Sequence, residues 1–261
     1  MTIITLTTDF GLADGYVAAM KGVILDIAPT ATLVDVSHEI APQQVRAAAY
    51  VLQTALPHFP AGSIHVAVVD PGVGSERRPL AARVDGSFVV GPDNGVFSAL
   101  FAAARQPVAC VHLTEPRFWR SVVSQTFHGR DIFAPVAAHL ANGVPLDALG
   151  PALHDPVQLS TSAARRLPDD SIHGEIIHID RFGNLISNIP GAWLAGRLWH
   201  VLVAGQQVPG PSLHYAQAAP QQLLTLVSSS NWLEVAVREG NAAERLGVNV
   251  GEPVIARLLH R

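Results

Sequence analysis

"SIHVAVVDPGVGSERR", residues 63–78, is the stretch on which the reading of the fold turns. From Ser63 to Val69 it is nearly continuous apolar sequence, and it stops abruptly at Asp70-Pro71-Gly72. A strand covered by helices on both faces reads this way, because it has no solvent side to make polar. Upstream, "PQQVRAAAYVLQTAL" (42–56) places Val45, Ala48, Ala49, Leu52 and Leu56 at helical spacing, with Pro42 suited to the first turn. "ATLVDV" (31–36) is a second strand, "GYVAAMKGVILDIAP" (15–29) a helix that Pro29 helps to end, and "TIITLTT" (2–8) a first strand that stops at Asp9.

Strand, helix, strand, helix, strand implies a mainly parallel sheet with right-handed crossovers. Ligands bind such sheets beyond the carboxyl ends of the strands. Asp9 follows the first strand and Asp70 the third, so both carboxylates are expected in one crevice. From 155 to 171 the chain turns polar and rich in breakers, "DPVQLSTSAARRLPDDS". Beyond it, "HGEIIHID", "LLTLVS", "WLEVAVR" and "EPVIARLL" are short strands, with one short helix around Asn241–Leu246. The expected fold is an α/β N-terminal domain (1–160) with a mainly parallel central sheet, a linker (161–171), and a small all-β domain (172–261), barrel-like or sandwich-like.

Composition narrows the function. The chain has 261 residues, 49% hydrophobic and 15% charged, which suits a well-packed enzyme or binding protein. A net charge of −4 with only 17 Lys and Arg argues against a nucleic-acid partner, which needs a basic stripe. The single cysteine, Cys110, excludes an internal disulfide and suits a reducing compartment. The N-terminus lacks the pattern of a signal peptide, and no apolar run approaches a membrane span, so a cytoplasmic protein is expected.

Four clusters could carry chemistry: Asp9 and Asp14 in "TTDFGLADGY", Asp70, Arg77 and Arg78 in "VVDPGVGSERR", Asp93 and Asn94 in "GPDNG", and His128, Arg130 and Asp131 in "SVVSQTFHGRD". Asp9, Asp70, Asp93, Asp131 and His128 are oxygen and nitrogen donors that a metal-dependent phosphoesterase could use, but no recognised zinc spacing is present. No Gly-x-Ser-x-Gly elbow or phosphate-binding loop occurs either. Asp70, Arg77 and His128 have the right types for activating a water without a metal: a permanent cation to stabilise hydroxide, an imidazole for the proton, a carboxylate to orient both. Structural roles compete. Asp14 reads as a helix cap. Asp93-Asn94-Gly95 reads as a turn. Arg130 and Asp131 read as an ion pair or a cap on the following helix, and His38, His58, His65, His112 and His139 as surface or strand-edge residues.

Five motifs in order, "TDFGLADGYVAAMKGVI" (8–24), "VVDPGVGSERR" (68–78), "PDNG" (92–95), "TFHGRDIFAP" (126–135) and "IDRFGNLISNI" (179–189), resemble the S-adenosyl-L-methionine hydrolases, or SAM hydroxide adenosyltransferases, relatives of the fluorinases and chlorinases. The resemblance spans nearly the whole chain. It implies attack of water-derived hydroxide on ribose C5′, releasing adenosine and L-methionine, with no cofactor, in a homotrimer with sites between subunits. It implies that Asp70, Arg77 and His128 activate the water, Asp9 holds the ribose diol, Asn184 the adenine and Asp180 the methionine ammonium. Ser228 and Glu234 would be methionine-side contacts and the backbone at Ala242 an adenine contact. The halogenating relatives carry Tyr and Ser where this chain has His128 and Gly129, which argues against a halide nucleophile. A non-catalytic adenosine- or SAM-binding module is the remaining alternative.

Overall fold

The structure is a computed structural model and describes residues 2–160 and 162–259. Met1, Thr161, His260 and Arg261, which begin or end the expected segments, lie outside the described residues. The chain divides into two compact units, Met1–Leu159 and Ser160–Arg261.

In the first unit the described strands and helices are β1 (Ile3–Thr8), α1 (Tyr16–Ile27), β2 (Thr32–Ser37), α2 (Val45–Ala55), β3 (Ile64–Val68), β4 (Pro79–Val84), β5 (Ser87–Pro92), α3 (Ser98–Ala103), β6 (Ala109–His112) and α4 (Ala134–Ala141). The sheet runs β2-β1-β3-β5-β4-β6. β1 pairs parallel with β2 and β3, and β3 with β5, while β4 is antiparallel to both neighbours. The mainly parallel sheet is therefore present, with one reversed strand. Its cause is local: β4 and β5 are joined by only Asp85-Gly86, with φ of 46° and 88°. Two left-handed residues make the tight hairpin turn that Asp-Gly favours, and so short a link cannot cross over to a parallel neighbour.

β3 is buried along its whole length. Ile64, Val66 and Val68 join one core with Ile4, Leu6, Met20, Ile24 and Phe133, on the side of α1 and α4. Ala67 and Val69 join the opposite core with Leu52, Leu80 and Phe97, on the side of α2 and α3. The two-residue alternation of a strand thus feeds two cores, each buried aliphatic side chain contributing about 1.5–3 kcal/mol. His65 and His38 are not surface residues: they are 3% and 4% exposed. Each meets a threonine hydroxyl at Nδ1, His65 with Thr5 at 2.9 Å and His38 with Thr8 at 2.8 Å, and His38 Nε2 stands 3.0 Å from Asp35 Oδ1. Burial pushes the His65 imidazole down to about 4, so it stays neutral. Pro42 lies before α2 rather than in its first turn, because the helix begins only after Gln44.

The second unit contains β7 (Arg165–Arg166), β8 (Ser171–Ile179), β9 (Leu185–Pro190), β10 (Leu198–Val203), β11 (Gln206–Gly210), β12 (Leu223–Val227), β13 (Trp232–Val237), α5 (Ala242–Leu246) and β14 (Pro253–Leu259). Their order is β11-β10-β14-β8-β9-β13-β12, with antiparallel pairing throughout and β7 beside β8. The stretch "RRLPDDS" is thus hairpin rather than linker. Leu167 N–H donates to Ser171 O at 2.8 Å, Asp170 turns the chain with φ 61°, and the Asp169 carboxylate accepts from Ser171 N–H and Oγ–H. β8 bends, pairing with β14 over Ser171–Glu175 and with β9 over Ile176–Ile179. The sheet curls until its ends approach. Trp199 Nε1–H donates to Thr225 Oγ1 at 2.9 Å, and that hydroxyl donates to Pro209 O at 3.0 Å, tying β10, β11 and β12 into a nearly closed barrel.

Replacing Thr225 by valine keeps the shape but leaves the buried Trp199 indole N–H and the Pro209 carbonyl without this partner. The expected cost is about 1–3 kcal/mol of unfolding free energy, read from urea denaturation followed by tryptophan fluorescence.

Candidate active site

The strand order reverses between β1 and β3, since β1 leads outward to β2 on one side and β3 continues the sheet on the other. A crevice opens at such a point beyond the strand ends. Thr8 pairs with Val68 in register, so Asp9 and Asp70 leave the sheet side by side. Asp9, Asp70, Gln43, Phe127 and His128 line a cavity of about 300 Å³ there. Asp9 is held by the backbone N–H of Gln43, which donates to its Oδ2 at 2.8 Å. Gln43 adopts a left-handed φ of 66°, in the turn that delays the start of α2. No side-chain pattern announces this contact, because its donor is main chain.

The "DPGVGSERR" turn folds back on itself. Val73 N–H donates to Asp70 O, Ser75 Oγ–H to Gly72 O, and Arg77 N–H to Ser75 Oγ, so that Arg77 returns to face Asp70. Gly74, at φ 76°, lies against the carbonyl of Gln125 where a Cβ would stand. That close approach seats the 124–128 segment on the turn.

Arg77 donates from Nε to both Asp70 oxygens at 3.0 Å and from Nη2 to Oδ2 at 2.6 Å. The same Nη2 lies 2.9 Å from His128 Nδ1. The Phe133 ring lies 5.3 Å from the guanidinium carbon. A guanidinium only donates, so His128 Nδ1 accepts and the imidazole is neutral with its proton on Nε2. Burial first, and the Arg77 charge second, lower the His128 pKa, while the Asp70 and Asp131 charges act the other way. Arg77 Nη1 is buried and has no hydrogen-bond partner among the described residues. The neighbouring arginine goes elsewhere: Arg78 donates to Asp93 at 2.8 Å and to Asp155. Asn94 donates to Val69 O at 2.8 Å, directly before Asp70.

Of the five candidate metal donors, Asp9, Asp70 and His128 line the crevice and Asp93 and Asp131 do not. Asp70, Asp93 and Asp131 each pair with an arginine, and among the described residues no group of three or more His, Cys, Asp or Glu side chains is arranged to hold a metal ion. Asp14 does not cap α1, whose N-cap is Gly15 with no side-chain bond. Gly129 is closely packed: a Cβ there would stand 3.2 Å from Met20 Sδ and 3.5 Å from both Phe127 and Val68.

In the second unit Asp180 and Asn184 close the β8–β9 turn. Asp180 Oδ1 accepts from the backbone N–H groups of Phe182 and Asn184 at 2.9 Å each, and Oδ2 from Asn184 Nδ2 at 2.9 Å. The Phe182 ring is left 74% exposed at the tip. Ala243 N–H donates to Gly183 O, fixing α5 to this turn, and Asn241 caps α5 through Glu244 N–H, so Ala242 opens the helix beside it. Glu234 is 3% exposed and accepts from Tyr215 Oη–H at 2.7 Å. Burial raises its pKa, and the Asp180 charge adds to that. Burial and the Glu234 bond raise Tyr215 in turn. Tyr215 carries no motif in the sequence and was legible only through this contact. Ser228 accepts from Trp232 N–H in the β12–β13 turn.

A mainly parallel-sheet crevice with a largely buried aspartate–arginine–histidine array, followed by an antiparallel near-barrel, defines a two-domain class of protein, α/β and then all-β. Residues 4–150 match the SAM hydroxide adenosyltransferase N-terminal domain and residues 174–255 the C-terminal domain of the same name. The chain belongs to the SAM hydroxide adenosyltransferase family. It is 42% identical over 253 residues to a protein of Salinispora arenicola named (R)-S-adenosyl-L-methionine hydrolase, covering 95% of each. A Thermus thermophilus protein of the same name is 40% identical over 258 residues, covering 95% of this chain and 96% of the relative. The crystal structure of an uncharacterized conserved protein from Thermotoga maritima superposes with a TM-score of 0.90 at 31% identity, over 98% of this chain and all of that one (100%).

The His128 geometry has a measurable consequence. Its imidazole should titrate below the usual 6.5, so it is neutral at pH 7 and charges only as pH falls through that lowered value. Replacing Arg77 by methionine removes a neighbouring positive charge and should move the midpoint upward. Proton NMR of the ring resonances reads both, and a wild-type midpoint at or above 6.5 would contradict the arrangement.

Proposed function

We infer that this protein hydrolyses S-adenosyl-L-methionine, in its (R)-sulfonium form, to adenosine and L-methionine. Water adds across the C5′–sulfur bond: its oxygen becomes the 5′-hydroxyl, the C–S electron pair stays on methionine, and one proton is released. The observation that carries this reading is Arg77 Nη1, a buried cationic N–H with no acceptor among the described residues, beside a neutral histidine. Its natural acceptor is an oxygen nucleophile. Arg77 Nη1–H and His128 Nε2–H are both donors in this tautomer, so the pair favours hydroxide over water. Charge stabilisation is strong in a crevice that excludes bulk solvent. Asp70 keeps the guanidinium in place. The leaving thioether is neutral, so the barrier lies in forming and aligning the nucleophile rather than in expelling sulfur.

Asp9 fits the ribose diol, because a carboxylate accepts two hydroxyl hydrogen bonds and so sets the line of attack at C5′. We assign Asn184 and the backbone at Ala242 to the adenine, Asp180 to the methionine ammonium, and Ser228 and Glu234 to the methionine side. Gly129 has no hydroxyl to hold a halide, unlike the serine of the halogenating relatives, which favours water as nucleophile. A homotrimer with sites shared between subunits, a cytoplasmic location and the absence of any cofactor belong to the same proposal. Among the described residues no helix is long and apolar enough to cross a membrane.

Incubation with S-adenosyl-L-methionine in ¹⁸O-water should yield adenosine labelled at the 5′-oxygen and unlabelled methionine, with or without EDTA. Unlabelled adenosine would overturn the mechanism. Arg77→Ala and His128→Ala should each lower kcat by about 10²-fold or more while retaining adenosine binding. Asp9→Ala should instead weaken adenosine binding, by roughly 10- to 100-fold in Kd as measured calorimetrically.

A further inference from the structure

We propose that Asp131 is a positioning residue that fixes His128 for catalysis, acting through the closed loop of residues 124–131. The proposal rests on His128 being catalytic, as inferred above.

Asp131 is fully buried, at 0% exposure, in the turn that precedes α4. A buried carboxylate is costly unless its oxygens are saturated with donors. Here they are. Arg130 donates to Oδ1 from Nε at 2.6 Å and to Oδ2 from Nη2 at 3.0 Å, and Ser124 N–H donates to Oδ2 at 2.9 Å. Arg120 Nε stands 4.0 Å from Oδ1. These donors are not those of a helix cap. A cap would accept from the first turn of the following helix, whereas Ser124 lies seven positions upstream, and neither the turn at 129–133 nor α4 has a side-chain cap bond. Of the two structural roles read from the sequence, the ion pair with Arg130 is formed and the helix cap is not.

What the carboxylate closes is the segment holding His128. Its two ends are joined by the side chain of Asp131 on Ser124 N–H, and within it Asp131 N–H closes a turn on Phe127 O at 3.1 Å. Inside the loop Ser124 Oγ accepts from Phe127 N–H at 3.0 Å. Arg120 N–H donates to Asp131 O at 2.9 Å and anchors the clasp from outside. Arg130, held by Asp131, lies 5.0 Å over the Phe127 ring that lines the crevice. Directly after His128 the chain makes one π-type turn, Gly129–Phe133, closed by Ala134 N–H on Gly129 O. Such a turn holds one residue more than an α-turn and rotates the side chains before it relative to those after it. His128 and Phe133 are thereby offered to Arg77 from two directions, at 2.9 Å and 5.3 Å. Without the carboxylate, Ser124 N–H and the Arg130 guanidinium lose their acceptor, and the turn loses the clasp that sets its direction.

The test is Asp131→Asn in the full-length protein, with folding checked by circular dichroism and the thermal midpoint. The expected result is a fall in kcat of about 10- to 100-fold with KM for S-adenosyl-L-methionine unchanged, as for a nucleophile array displaced by about an ångström. The ¹⁵N resonance of His128 Nδ1 should also move toward that of an imidazole without a donor from Arg77. A folded variant with wild-type kcat, or one that loses turnover with the Nδ1 resonance unmoved, overturns the proposal. Should Asp131→Asn fail to fold, Ser124→Ala decides. It removes only the hydroxyl inside the loop and should lower kcat several-fold with KM constant; wild-type kcat in it would overturn the clasp. Failure of the underlying assignment shows separately, as wild-type turnover in His128→Ala.

Discussion

The buried ion pair between Arg77 and Asp70 organises the crevice. Two charges taken out of water are tolerated only when their hydrogen-bonding groups are occupied. Asp70 occupies Nε and one Nη of the guanidinium, and His128 shares that Nη. The remaining Nη1 is the exception: it is buried and has no acceptor among the described residues, and the proposed oxygen nucleophile is the group that would occupy it. The same pair sets the protonation of His128, since an imidazolium could not accept from a guanidinium.

The fold supplies the register that makes this pair possible. β1 and β3 end level with each other at the place where the sheet reverses order, so Asp9 and Asp70 arrive in one crevice from strands separated by sixty positions of chain. Around them each fixing group belongs to a short local turn: Gln43 N–H on Asp9, the "DPGVGS" turn behind Arg77, the Asp131 clasp around His128. Rigid strands provide the spacing and hydrogen-bonded turns the aim.

Part of this was legible in the sequence. The apolar run of β3 and the helical spacing of α2 gave the parallel sheet, and the acids after two strands gave the crevice. The antiparallel β4 departs from the parallel expectation where "VDGS" makes a hairpin, and "RRLPDDS" reads as linker because its charged residues hide a two-residue strand and a tight turn. The burial of His65 and His38 is not legible in the sequence, because it depends on partners from another strand, Thr5 and Thr8 here, which periodicity does not reveal. Tyr215 against Glu234 and the Gln43 amide against Asp9 are likewise contacts between segments far apart in the chain, one of them made by main chain.

By itself, then, the order of residues determined the α/β and all-β halves, the candidate side chains and the family they resemble, because apolar periodicity and motif spacing are properties of neighbouring positions. Only the folded chain decided how Arg77 meets Asp70, through Nε and one Nη, that His128 accepts rather than donates toward Arg77, and that Asp131 takes Ser124 N–H across a loop beside its pair with Arg130. Those outcomes are matters of direction and hydrogen-bond saturation in a low-dielectric interior, set by groups that approach one another only when the strands and turns have closed around them.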